Sequence, residues 1–188
     1  MYTQEQNQTL LSIARSSIGH GLQSGQPEII DINNYDDELQ DIRATFVTLK
    51  ISGSLRGCIG TLVAKYPLVE SVAEYAYAAA FRDPRFKPLS QDEFEKITLS
   101  ISILTPAEPI EFDSDADLIQ KLEPHIDGLI INSGNRSATF LPAVWESLTH
   151  AEQFLIQLKE KAQILPEEKL TGASRYKAIE ICEKDFLN

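Results

Sequence analysis

The chain has 188 residues, 43% of them hydrophobic and 24% charged, with a net charge of −11. That is enough chain for one good core or two small subdomains, in a soluble globular protein rather than a disordered or fibrous one. The acidic balance argues against general nucleic-acid binding and against adhesion to anionic membranes, because both draw on a surplus of Lys and Arg.

No apolar run approaches the roughly 20 residues of a membrane span. The opening MYTQEQNQTLLSIARSS has neither the basic n-region nor the apolar h-region of a secretory signal. Two cysteines, Cys58 and Cys182, are too few for a disulfide scaffold. The expected setting is a reducing cytoplasm.

Thr3 to about His20 reads as an amphipathic helix. Thr3 and Gln6 form a capping box, Leu10, Leu11, Ile13, Ala14 and Ile18 share one face, and Gly19 and Gly21 end it. Arg43 to Ile51 alternates as a strand, Ser52-Gly53-Ser54 turns, and Leu55 to Val63 returns. Pro67 opens a helix at its first position, with Leu68, Val69, Val72, Ala73, Ala76, Tyr77 and Ala80 as its apolar face. Asp83-Pro84 stops that helix, because the residue before proline avoids the α region.

Ser90 with Glu93 begins a short helical turn. Ile97 to Leu104 (ITLSISIL) is the clearest strand, with four apolar residues on one face and Thr98, Ser100 and Ser102 on the other. Ser114 to about Leu122 is a short helix. Leu129–Ile131 and Ser137–Leu141 are strands joined at Ser133-Gly134. Thr149 with Glu152 caps a helix to about Gln163, and Ser174 to about Glu183 is a last strand. Strands joined by hairpins outnumber crossover helices, which points to an α+β fold with a mostly antiparallel sheet. Ser52-Gly53…Arg56 is echoed by Ser133-Gly134…Arg136, a short pattern that hints at duplication.

Two stretches carry candidate chemistry. In LRGCIG, Leu55 to Gly60, a cysteine sits between glycines two residues after an arginine. A thiolate is the reactive form of cysteine, and a neighbouring guanidinium favours it. Strand alternation would put Arg56 and Cys58 on one face, while Gly57 and Gly60 would let a ligand or another backbone approach. The plain alternative is a small buried cysteine beside a bulge.

In FRDPRFKPL, Phe81 to Leu89, Arg82 and Arg85 flank a turn and Phe81 and Phe86 anchor it. Such arginines suit carboxylate or phosphate recognition, unless Asp83 simply pairs with one of them. Lys50 to Pro88 holds six basic residues (Lys50, Arg56, Lys65, Arg82, Arg85, Lys87) against three acidic ones (Glu70, Glu74, Asp83). A basic segment in an acidic protein suits a small anionic ligand or an acidic partner. His20, His125 and His150 are scattered without metal-ligand spacing, no hydrolase or dinucleotide motif occurs, and Trp145 reads as a core anchor. No cofactor is specified.

The segments LRGCIGTL, AYAAAFRDPRFKPL, ISISILTPAEPI, DGLII and ATFLPAVWE resemble the AMMECR-type domain family, in particular its bacterial branch, protein A of AmmeMemoRadiSam systems. The likeness runs from LLSIAR to the SRY segment. It implies an α+β fold with a curved, barrel-like sheet and flanking helices, possible internal duplication, and one domain over 1–188 or two subdomains. It implies partners too: a Memo-like protein and a radical SAM protein. The first hallmark is carried by Leu55, Arg56, Gly57, Cys58, Ile59 and Gly60, and the second by Asp83, Pro84, Arg85, Phe86, Pro88 and Leu89. Lys87, Gln163 in KAQIL and the tryptophan-free LTGASRY depart from the pattern.

The expected role is a binding or accessory protein that recognises a small anionic ligand or a partner. Its surface would be Leu55, Arg56, Gly57, Cys58, Ile59 and Gly60 with Arg82, Asp83, Arg85 and Phe86. The alternative is an enzyme in which Cys58 is the nucleophile or covalent carrier and Arg56 assists it on an anionic substrate.

Overall fold

The computed structural model describes residues 2–186. Its elements run from helix α1 (Gln4–Ser24) through the short α2 (Asp37–Gln40), strands β1 (Ala44–Ile51) and β2 (Ser54–Gly60), helix α3 (Leu68–Phe81), the one-turn α4 (Gln91–Phe94) and strand β3 (Ile97–Leu104). Strand β4 (Glu108–Ile110), helix α5 (Asp115–Gln120), strands β5 (Gly128–Ser133) and β6 (Arg136–Phe140), helix α6 (Ala151–Lys161) and strands β7 (Gly172–Tyr176) and β8 (Ala178–Cys182) follow. They form two four-stranded sheets, ordered β2-β1-β3-β8 and β4-β7-β5-β6. β1 pairs antiparallel with β2 and β3, and β5 with β6 and β7. The α+β class and the antiparallel pairing stand. The barrel implied by the resemblance does not: there are two sheets, and neither closes on itself.

The chain divides into two compact units. One runs to Leu104 and regains the chain from Ile179 on; the other is Thr105–Ala178. In the first, α1 and α3 lay an apolar face on the sheet. Leu10, Ile18, Val47, Leu49, Val72 and Ile101 are fully buried there, and burying such a side chain stabilises by about 1.5–3 kcal/mol. Arg15 ties the returning chain down. Its Nη2 meets Glu183 Oε2 at 2.6 Å, and Glu183 also accepts the Leu99 N–H at 3.0 Å.

In the second unit Trp145 lies flat on Phe154, with ring centroids 3.8 Å apart, and its indole N–H donates to the Asp127 carbonyl at 2.7 Å. Trp145 is thus the core anchor expected of it. Among the described residues no helix is long and apolar enough to cross a membrane.

Local signals held where the device is self-contained. The Thr3–Gln6 and Ser90–Glu93 capping boxes both form. The β1–β2 hairpin turns on Ser52 and Gly53, both with positive φ (51° and 83°), the backbone that a two-residue hairpin needs.

Other boundaries differ from the sequence reading. Helix α1 does not stop at Gly19 and Gly21; it runs to Ser24, capped by Gly25 in the left-handed region. Gly21 is there because α3 is close: a Cβ at that site would lie 2.5 Å from the Phe81 ring. Pro67 precedes the first residue of α3 rather than filling that position. His150, not Thr149, is the residue before α6, and it makes no side-chain cap. β2 ends at Gly60 rather than Val63. The last strand is two, β7 and β8, which belong to different sheets.

Gly57 is the most closely approached glycine of the first unit. A Cβ there would sit 2.1 Å from the Ala79 carbonyl oxygen on α3, and backbone cannot move aside as a side-chain tip can. Gly57→Ala is therefore expected to lower the urea-unfolding free energy by at least about 2 kcal/mol. Gly53→Ala, in open space at φ 83°, is expected to cost about 1 kcal/mol of backbone strain. Equal losses would mean that the helix does not enforce glycine at 57.

Candidate functional site

Strand β2 is an edge strand. Its backbone is unpaired on one side and needs partners, since lone N–H and C=O groups are costly when buried and adhesive when exposed. The turn after α3 supplies them. Asp83 Oδ2 accepts the Cys58 N–H at 2.9 Å, and Arg85 Nη2 donates to the Cys58 carbonyl at 3.2 Å. The two side chains clasp each other: Arg85 Nε and Nη2 reach Asp83 Oδ1 and Oδ2 at 3.0 and 2.7 Å. Asp83 Oδ1 also accepts the Arg85 N–H at 3.1 Å.

Asp83 is buried, its side chain 1% exposed, whereas Arg85 is 53% exposed. The Arg85 guanidinium, helped by the Cys58 and Arg85 backbone N–H groups and opposed by burial, holds the Asp83 carboxyl far below the usual carboxylate range. Arg85 is held above its ordinary value, first by Asp83.

Arg56 occupies a bulge. The β1–β2 register shifts between Leu49 and Lys50: Leu49 faces Gly57 and Lys50 faces Leu55, so Arg56 has no partner on β1. The shift interrupts the i, i+2 alternation that would put Arg56 beside the thiol. Its side chain, 11% exposed, goes elsewhere. Nε and Nη2 grip Glu93 at 2.8 and 3.0 Å, and Nη2 also donates to the Lys87 carbonyl at 2.9 Å. The Phe86 ring centroid lies 5.6 Å from the guanidinium carbons of both Arg56 and Arg85. Arg56 draws Glu93 down to about 2, with the Ser90 N–H assisting. Arg56 Nη1 is buried with no hydrogen-bond partner among the described residues.

Cys58 is partly exposed, and its sulfur accepts from Thr48 Oγ1 at 3.3 Å across the pair of strands. Ile59 packs against the core, opposite Val47. Gly57 and Gly60 admit backbone of the chain itself: a Cβ on Gly60 would lie 2.2 Å from the Thr45 carbonyl oxygen. Arg82 stands apart, bonded to Glu74 at 3.0 Å with the Tyr77 ring 4.8 Å away. Cys182 lies on β8, at the other edge of the same sheet. Three strand spacings, roughly 14 Å, separate the two cysteines' strands, beyond the reach of a disulfide.

The structure thus brings together Arg56, Gly57, Cys58, Asp83, Arg85 and Phe86. Sequence reasoning missed Thr48 and the role of Glu93, whose only local signal was its capping box with Ser90. Each arginine of the basic window is paired in space, Arg56 with Glu93, Arg82 with Glu74 and Arg85 with Asp83.

The folded pKa values of Asp83 and Glu93 lie below their unfolded ones. Their stabilisation is complete above about pH 4.5 and is lost as pH falls through the folded values. Asp83→Asn is expected to cost about 2 kcal/mol at pH 7, because a buried charge-assisted cluster loses its charge. The deficit against wild type should begin to shrink as pH falls below about 4, where Asp83 of the unfolded chain takes up its proton, and go on shrinking toward the much lower folded value. Urea midpoints followed against pH would check both; a pH-independent deficit would mean that charge is not what Asp83 contributes.

Residues 11–181 match the AMMECR1 family model. A protein of Methanothermobacter thermautotrophicus is 35% identical over 170 residues, covering 88% of this chain and 86% of the relative. Protein SSO0193 of Saccharolobus solfataricus is 37% identical over 181 residues, covering 93% of this chain and 78% of the relative. The crystal structure of protein PH0010 from Pyrococcus horikoshii superposes with a TM-score of 0.84 at 31% identity, covering 95% of this chain and 91% of that one. On sequence and on fold, the chain belongs to the AMMECR1 family.

Proposed function

We propose that this protein acts by binding, as an accessory protein whose β2 edge and Asp83–Phe86 turn form a docking surface for a partner protein. One observation carries the reading. Both carboxylates that border this edge, Asp83 and Glu93, are held by arginines and stay ionised, so neither is free to take a proton from Cys58. What the surface offers is side chains on a braced backbone: Leu55, 42% exposed, and the half-exposed Arg85. An apolar side chain and a fixed cation on one strand edge suit a partner patch that is both apolar and acidic. The partners suggested by the family resemblance are a Memo-like protein and a radical SAM protein.

A second reading keeps Cys58 as a nucleophile or covalent carrier. In its favour, the sulfur is partly exposed and accepts the Thr48 hydroxyl.

The two part over the thiol. Purified Memo-like and radical SAM proteins from the same organism would be titrated against wild type, Leu55→Asp and Cys58→Ser by surface plasmon resonance. Binding predicts that one partner associates, that Leu55→Asp weakens it at least tenfold, and that Cys58→Ser leaves it unchanged. Loss with Cys58→Ser and retention with Leu55→Asp would overturn the reading in favour of the thiol.

A further inference from the structure

A second surface of the first unit is independent of the β2 edge. After α1 the chain runs without secondary structure through Pro27–Ile30 and is tethered at two points. Tyr77 Oη donates to the Gly25 carbonyl at 2.5 Å, and the Glu28 N–H donates to Ser17 Oγ at 3.2 Å. Ser17 is itself fully buried and donates to the Ala73 carbonyl of α3 at 2.8 Å. Ile30 packs on the core. Between the Glu28 tether and the packed Ile30, Ile29 is left 96% exposed, and Tyr66, which begins the approach to α3, is 45% exposed.

The segment and the first turns of α3 enclose a groove of about 400 Å³. Its apolar wall is Pro27, Ile29, Ile30, Tyr66 and Tyr75, and its rim carries Glu28, Glu70 and Glu74. Glu70 and Glu74 are one helical turn apart, so their carboxylates rise on the same side of α3. Glu74 is bonded to Arg82; the carboxylates of Glu28 and Glu70 have no hydrogen bond or ion pair among the described residues.

We infer that this groove binds a short segment of a partner protein in which an apolar side chain is flanked by lysine or arginine. The wall requires the apolar anchor. An isoleucine held out by a twice-tethered backbone exposes apolar area in a fixed position, so covering it costs little further ordering. The rim requires the cations: three carboxylates border the groove, and two are uncompensated. The volume admits one or two side chains, the size of a peptide anchor. A small amine alone would satisfy the rim and leave Ile29 in water.

The test uses the full chain and a fluorescein-labelled hexapeptide, KRLFKR, followed by anisotropy at low and at physiological salt. The controls are EDLFED, which keeps the anchor and reverses the charge, and KRGSKR, which keeps the charge and loses the anchor. KRLFKR is expected to bind at least tenfold more tightly than either, and less tightly as salt rises. Ile29→Asp and Glu70→Lys, both on the surface, are each expected to weaken binding at least fivefold. Glu160→Lys, an exposed change on α6 with the same charge difference as Glu70→Lys, is expected to leave it unchanged. Equal binding of KRGSKR would overturn the inference in favour of a cation site. Equal effects of Glu160→Lys and Glu70→Lys would overturn it in favour of unspecific attraction to an acidic protein. Neither result bears on the Leu55 surface.

Discussion

The Asp83 carboxylate is the joint on which the candidate site depends. It sits just past the end of α3, buried, and its oxygens accept from two backbone N–H groups and two guanidinium nitrogens. A buried carboxylate without such partners would be strongly destabilising; with them it fastens the turn after α3 to strand β2. One turn earlier on the same helix, Ala79 meets the strand at Gly57. Residues 79 and 83 therefore read consecutive residues of β2, one by backbone contact and the other by hydrogen bond. Only glycine lets the strand come close enough for the second contact to form.

Charge along the chain and charge in space give different pictures. Lys50 to Pro88 has a basic surplus, yet its arginines are spent on Glu93, Glu74 and Asp83. Glu93 lies outside that window, so no count within the window finds it. The result is a region rich in arginine that is held rigid by its arginines rather than made strongly positive by them. Guanidinium forks suit this role, because each can grip a carboxylate with two nitrogens and still reach a carbonyl, as Arg56 does at Lys87 and Arg85 does at Cys58.

How far the sequence could be read follows the range of the forces involved. The alternation of ITLSISIL, the Ser52-Gly53 turn and the Thr3 and Ser90 capping boxes are settled within a few residues, and all are present. Gly21 looked like a helix stop because glycine weakens helices; its reason is an aromatic ring on another helix. The segment from Ser174 read as one strand because both halves alternate, but the sheets that the halves join are decided by distant partners. Within the site, the residues of LRGCIG and DPRF were legible as a set. Their roles were not. Arg56 was read as the companion of the thiol, and a one-residue bulge with an acceptor 37 residues away redirected it.

The closed edge also constrains how a partner could be recognised. An exposed edge strand invites another strand to add to it through main-chain hydrogen bonds. At Cys58 that route is occupied: its N–H and C=O are taken by Asp83 and Arg85, a donor and acceptor pair in the place a neighbouring strand would fill. Strand addition there would have to break a buried, charge-assisted cluster, which opposes it by several kcal/mol. A partner that binds at Cys58 must therefore read side chains there rather than add a strand. The clasp of Asp83 and Arg85 on Cys58 turns a strand that would invite pairing into one whose backbone is closed at that residue, and the glycine at 57 is what lets the end of α3 come near enough to close it.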